Sequence, residues 1–231
     1  AIERVPNGND YIILDRCAGT GNLEAILTDE ELSHCILSTY EYYEYKVLCE
    51  RLADKVRLII PPIETDETYD KGFVRNANAL SKDYVYNELI QRYIQNDNCT
   101  IILFENPPYA ETTSIEHQKK NKSTKSSVWK KSFVVEEMKK EIKGQATNEL
   151  GNAFIWTAFK YYLRQPTDSY VVFSPVKYWK AQHLISKKFL DGYAFNRKHF
   201  HTNINACIMV ALWSNEDSIT QQNFKLEAYD I

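Results

Sequence analysis

No apolar run in this 231-residue sequence is long enough to cross a bilayer. The longest, Ala206 to Trp213, falls far short of the roughly 20 apolar residues that a spanning helix needs, and no signal-peptide pattern opens the chain. These absences predict a soluble, cytoplasmic protein with no membrane partner. An excess of positive charge is also missing: 28 Lys and Arg stand against 31 Asp and Glu, a net charge of -3. With no global basic field, any nucleic-acid contact must come from a local patch or from another domain or subunit. Metal-ligand spacing is absent as well. His34, His117, His183, His199 and His201 are scattered, and Cys17, Cys35, Cys49, Cys99 and Cys207 form no Cys-x-x-Cys pair. No metal site is expected, and the cysteines read as reduced thiols, mostly in apolar runs. Repeats and low-complexity tracts are lacking too.

What remains is the composition of one globular domain with a real core, 44% hydrophobic and 26% charged. The apolar pattern alternates between strand and helix. Tyr11–Leu14, Cys35–Tyr40, Val56–Ile60, Thr100–Phe104 and Tyr170–Phe173 read as strands. Helices are expected over Asn22–Leu27, Tyr42–Leu52, Lys82–Gln95, Asn148–Leu163 and His183–Leu190. Tyr193–Phe200 and Ala206–Trp213 then read as a hairpin that closes the sheet. Strand-helix repetition of this kind predicts an α/β fold, a doubly wound and mostly parallel sheet with helices on both faces. The chain starts at Ala1 and enters a strand within about ten residues, as a piece trimmed from something longer, or a processed terminus, would.

Two turns carry the chemistry. The first is Asp15-Arg16-Cys17-Ala18-Gly19-Thr20-Gly21, at the carboxyl end of the first strand, where open parallel sheets bind ligands. A dinucleotide fingerprint would need a third glycine at position 24, but Glu24 stands there and would face a pyrophosphate. The carboxylate of Asp15 suits a ligand with a positive ammonium or sulfonium group instead. Glu41, about twenty residues beyond the glycines, has the spacing of an acid that accepts ribose hydroxyls, with Glu44 as its competitor. Asn78-Ala79 could meet an adenine edge, although Asn is also a common turn former.

The second turn is Asn106-Pro107-Pro108-Tyr109, which ends the strand Thr100–Glu105. An amide, two prolines and an aromatic make a stiff ledge, with acceptors for an amino group beside a flat face for a ring. Such a ledge suits methylation of a planar amine. Downstream lies a stretch at about 111–146 that includes Lys119, Lys120, Lys122, Lys125, Lys130 and Lys131, interrupted by Trp129 and Phe133. It reads as a flexible insertion, either merely solvated or a clamp on the DNA backbone that orders on binding.

With these residues in place, the sequence resembles the S-adenosylmethionine-dependent DNA adenine-N6 methyltransferases, especially the methylase part of type II restriction-modification enzymes. The likeness runs over nearly the whole chain. Asp15–Gly21 matches the family's first motif, Glu41 its second, Asn78 its third and Asn106–Tyr109 its catalytic fourth. Asn148–Phe154, Tyr170–Pro175 and Phe200–Ala206 look like the fifth, the sixth and the region of the eighth. The resemblance implies a Rossmann-like class I methyltransferase sheet of seven strands with a terminal β-hairpin. It implies S-adenosylmethionine held by Asp15, Cys17, Ala18, Gly19, Gly21, Glu41, Asn78, Ala79 and Asn106. Catalysis would rest on Asn106, Pro107 and Tyr109, with Tyr109 and Phe200 on the two faces of a flipped base and the lysines on DNA.

Three departures stand beside the likeness. Asn78 replaces the usual acid, no counterpart of the motif preceding the first strand occurs before Tyr11, and no room remains after Trp213 for a target-recognition domain. A separate or missing reader is therefore expected as a partner. The same tetrapeptide also serves enzymes that methylate a release-factor glutamine or RNA amino groups, and a non-catalytic cofactor-binding module is a further alternative.

Overall fold

A computed structural model describes residues 1–63, 77–108, 128–175, 186–196, 207–218 and 225–229. Its strands are β1 (Asp10–Asp15), β2 (Cys35–Leu37), β3 (Leu58–Ile59), β4 (Cys99–Glu105), β5 (Ser169–Pro175), β6 (Lys187–Asn196), β7 (Cys207–Asp217) and β8 (Glu227–Tyr229). Its helices are α1 (Asp29–Leu32), α2 (Tyr42–Leu52), α3 (Lys82–Val85), α4 (Glu88–Ile94), α5 (Phe133–Glu141) and α6 (Leu150–Thr157). The strands form one sheet in the order β3-β2-β1-β4-β5-β7-β6-β8. β1 to β5 pair in parallel, β7 runs antiparallel between β5 and β6, and β8 adds to the outer edge of β6.

The central strands explain the layering. Alternate residues of β1 and β4 enter opposite cores: Ile12, Leu14, Ile101 and Leu103 one, Ile13, Ile102 and Phe104 the other. A strand apolar on both faces is stable only when both faces are covered, which is why these runs lack polar alternation. α2 covers one side through Leu48 and Leu52, while α3 to α6 bury Tyr84, Ile90, Val134 and Phe154 on the other.

The doubly wound, mostly parallel sheet and the β6–β7 hairpin match the sequence reading, with an eighth short strand, β8, beside the seven expected. Other expectations need correction. Lys187–Leu190, read as part of a helix, belongs to β6, where Phe189 meets Trp213 edge to face at 5.5 Å between ring centroids. Asn22–Leu27 is not an α-helix; only a 3-10 turn, Glu24–Ile26, forms before Thr28 caps α1 in a capping box with Glu31. The helix expected over Lys82–Gln95 breaks because Asn87 restarts it, its Oδ1 accepting the Leu89 N–H at 3.0 Å. The one expected over Asn148–Leu163 ends as α6 and then widens into a π-turn, Ala158–Tyr162.

Part of the expected insertion is packed structure. From 128 onward it folds into a 3-10 turn and α5, and Val134, Val135 and Met138 are buried in the core.

Candidate active site

β1 is flanked by β2 and β4, so the chain leaves β1 toward β2 and β3 and later returns to β4 on the other side. Loops leaving two such strands diverge and open a crevice at their carboxyl ends. The Asp15–Gly21 loop leaves β1 there, and Asn106-Pro107-Pro108 leaves β4 beside it. The register Leu14↔Leu103 puts the two exits level.

The glycine loop is pinned from several sides. Asp15, fully buried, accepts the Cys17 N–H at 2.7 Å, and the Ala18 N–H donates to the Ser38 carbonyl at 2.9 Å. Gly19 and Gly21 take φ of 59° and 80°, a region that L side chains enter only at a cost. A Cβ on Gly21 would sit 2.8 Å from Leu52 Cδ1 of α2, whereas one on Gly19 would meet nothing within 4 Å among the described residues. Gly21 thus serves close packing, and Gly19 leaves the loop open. Arg51 of α2 closes the far side with donors to the Thr20 carbonyl and the Asn22 side chain.

Glu41 stands at the N-cap position of α2, four residues after the end of β2. Its competitor Glu44 is engaged, accepting from Thr39 Oγ1 at 2.6 Å and from the Tyr43 hydroxyl at 3.3 Å. The Ala77 N–H donates to the Thr39 carbonyl at 3.0 Å, which brings Asn78 to the same strand end. Asn78 Oδ1 accepts the Leu80 N–H at 3.0 Å and its carbonyl accepts from Ser81, so the oxygen of this amide is committed to a turn. Ala79 is buried beside it, and the first turn of α5 docks there through the Val134 N–H on the Leu80 carbonyl.

Asn106 is half-buried at the end of β4 and Pro107 is buried. Of the residues expected to contact substrate, Lys130 and Lys131 close the 3-10 turn before α5, with Lys130 Nζ 5.6 Å from the Trp129 ring centroid. Tyr109, Phe200, Lys119, Lys120 and Lys122 lie outside the described residues.

Three buried charges escaped notice in the sequence as site residues. Arg16 and Glu105 follow Asp15 and precede Asn106, and both side chains are wholly excluded from solvent. Glu105 Oε1 accepts both the backbone N–H and Nε–H of Arg16, and Oε2 accepts Nη2 at 2.8 Å and the Tyr170 hydroxyl at 2.9 Å. Burial alone would drive the proton off Arg16, but the adjoining Glu105 carboxylate more than offsets it and holds the guanidinium charged. Glu24, also buried, lies against Asp15. Burial foremost, and then Glu24, push the Asp15 carboxyl well above the usual carboxylate range, and burial raises Glu24 too. Burial likewise raises the Cys17 thiol, which leaves it a poor nucleophile. A signal for the Arg16–Glu105 pair was present: opposite charges at the ends of two apolar strands that pair side by side.

Among the described residues, no group of three or more His, Cys, Asp or Glu is placed to hold a metal ion, and no helix is long and apolar enough to cross a membrane.

Solved structures share this fold. A protein of Listeria monocytogenes assigned to the class I S-adenosylmethionine-dependent methyltransferases superposes at a TM-score of 0.54 and 12% identity, over 100% of this chain and 61% of its own. The fold is that of the class I methyltransferases. DrdV in its DNA complex superposes at a TM-score of 0.55 and 14% identity, over 93% of this chain and 24% of its own. The methyltransferase subunit of a type I restriction-modification system from Streptococcus thermophilus gives 0.51 and 12%, over 90% and 40%. The chain thus spans less than two thirds of the length of each of these proteins. No protein-family model and no curated protein matches the sequence. In the class I methyltransferase fold, the crevice between β1 and β4 is where the two turns read from the sequence meet.

Proposed function

We propose that this chain is the catalytic core of an S-adenosylmethionine-dependent methyltransferase that acts on the N6 amino group of a flipped-out adenine in DNA, within a restriction-modification system. The observation that supports it best is the adjacency of the glycine loop and the Asn106-Pro107 ledge at one edge of the sheet. The cofactor fits the residues present. Among the described residues, neither of the two buried carboxyl oxygens of Glu24, beside Asp15, has a hydrogen-bond partner, and Gly19 leaves open space over the loop. A ligand with an ammonium group would donate to these oxygens and favour their ionised form.

Asp15 and the backbone of Cys17, Ala18, Gly19 and Gly21 would hold the methionine end, Glu41 the ribose, and Asn78 with Ala79 the adenine. With its oxygen committed, Asn78 would offer its amide N–H, so it would donate to a ring nitrogen where an acid would accept from an amino group. When bound, S-adenosylmethionine supplies an electrophilic methyl on a sulfonium.

The chain's own work is positioning. The nitrogen of an adenine amino group is a weak nucleophile because its lone pair is delocalised into the ring. The Asn106 side-chain oxygen and the Pro107 carbonyl would accept its two hydrogens and favour a pyramidal nitrogen. Extruding the base costs a few kcal/mol, and stacking on Tyr109, with Phe200 opposite, would return about 1 to 3 kcal/mol. Lys119, Lys120, Lys122, Lys130 and Lys131 would meet phosphates, which position the duplex without reading it. Sequence reading is assigned to a separate domain or subunit.

Labelled methyl transfer from S-adenosylmethionine to duplex DNA, to a release-factor peptide and to RNA tests this. Label in DNA, absent with Asn106→Ala, is expected. Label in peptide or RNA alone would move the substrate class, and cofactor binding with no transfer to any would leave a binding module.

A further inference from the structure

The Arg16–Glu105 pair occupies a particular place in the sheet. The backbone ladder between β1 and β4 ends at Leu14↔Leu103, and β4 continues alone beside β5, with Glu105 opposite Val172. Two residues past the last ladder pair, Glu105 Oε1 accepts the Arg16 backbone N–H at 3.2 Å, so a side chain carries on where the backbone stopped. The carboxylate accepts four hydrogen bonds, which fill its acceptor sites. Arg16 Nη2 also donates to the Phe154 carbonyl of α6 at 3.0 Å, and its guanidinium lies 4.8 Å from the Tyr162 ring centroid and 5.3 Å from that of Phe154. Four elements are therefore fastened at one point: β1, β4, β5 and the α6 segment.

Stability alone is a weak reason for such a pair, because well-packed apolar residues of similar volume often do as well or better. What an apolar contact cannot do is fix direction. A two-point guanidinium–carboxylate fork sets both distance and angle, and here its ends adjoin Asp15 in the cofactor loop and Asn106 in the ledge.

We propose that Arg16, Glu105 and Tyr170 are positioning residues, a buried strut that sets the distance and angle between the cofactor loop and the Asn106-Pro107 ledge. This rests on the function proposed above. The strut touches neither reactant; it acts through Asp15 and Asn106. A misplacement of about 1 Å between reacting groups costs on the order of 100-fold in rate, so loosening the strut slows transfer while leaving each loop able to bind its own ligand.

The test uses the full chain as wild type, Arg16→Lys and Tyr170→Phe. Arg16→Lys keeps the charge and loses the fork; Tyr170→Phe removes one hydroxyl and is the variant that folds if the first does not. Cofactor Kd, the single-turnover rate of methyl transfer to duplex DNA, and hydrogen exchange in peptides covering 15–21 and 105–108 are measured on each. The expected rate falls are about tenfold for Tyr170→Phe and about 100-fold for Arg16→Lys, with cofactor Kd changed no more than about threefold and exchange rising in both peptides together. A lower melting temperature with unchanged rate and exchange would make the pair purely structural and overturn the proposal. So would a rate loss matched by an equal loss of cofactor affinity. If the wild type methylates no substrate, the function proposed above fails by itself, and hydrogen exchange still decides the strut: a joint rise in both peptides supports it and a rise confined to one refutes it.

Discussion

The Glu24 carboxyl rests against that of Asp15, both buried, and among the described residues no N–H or O–H donor reaches either oxygen of Glu24. Burial and the charge of the adjoining Glu24 both disfavour ionisation of Asp15, so the pair tends to keep a proton. Asp15 also faces the negative Glu105, while Arg51 is the cation felt at Glu24.

A pH dependence follows, and its sign is set by the raised carboxyl pKa of both groups in the folded chain. The folded protein keeps protons that the unfolded chain releases near pH 4. Their contribution to stability is complete below that pH and is lost as pH rises through the folded values. Thermal melts of the cofactor-free protein should therefore show a stability loss with rising pH that Glu24→Gln flattens. Parallel curves for the two proteins would mean that the pair is already ionised.

Gly21→Ala should cost more than Gly19→Ala. The first adds a Cβ 2.8 Å from Leu52 Cδ1 at a positive φ, so backbone strain and overpacking combine to about 2 to 5 kcal/mol. The second meets no neighbour and costs about 1 to 2 kcal/mol from the backbone alone. Denaturant unfolding of both variants measures the difference.

Asn106→Ala should slow transfer by at least about 100-fold while cofactor Kd stays within about threefold, because its oxygen acts chiefly on the amino group and its expected cofactor contact is one of several. Calorimetry beside single-turnover kinetics separates the two. Equal losses would make Asn106 a cofactor ligand first.

Replacing Lys119, Lys120 and Lys122 together by Ala should weaken DNA binding at all sequences alike and lower the salt dependence of log K by about one unit per lost phosphate contact. Fluorescence titrations across salt concentrations measure that slope. An unchanged slope would return the segment to plain solvation.

The central strands and α2 were legible because their apolar runs are bounded by glycine, proline and polar turns, and both candidate turns sit at the ends of such runs. β6 was not. Its register shifts between Lys187 and Phe189 and again before Asp191, and a strand with bulges loses the alternation that betrays it. α5 hid its buried Val134, Val135 and Met138 among lysines. The strut was harder to read for a simpler reason: Arg16 and Glu105 lie 89 residues apart, and a charge at the end of an apolar run does not say which distant charge it meets.

Soaking S-adenosylmethionine into crystals of this chain tests the shared site most directly. The expected map places the amino-acid end at Asp15 and Glu24 and the ribose at Glu41, with the sulfonium methyl turned toward Asn106 so that a nucleobase nitrogen fits about 3 to 3.5 Å away. Cofactor bound elsewhere, or bound with its methyl facing away from Asn106, would contradict the reading of these two turns as one active site.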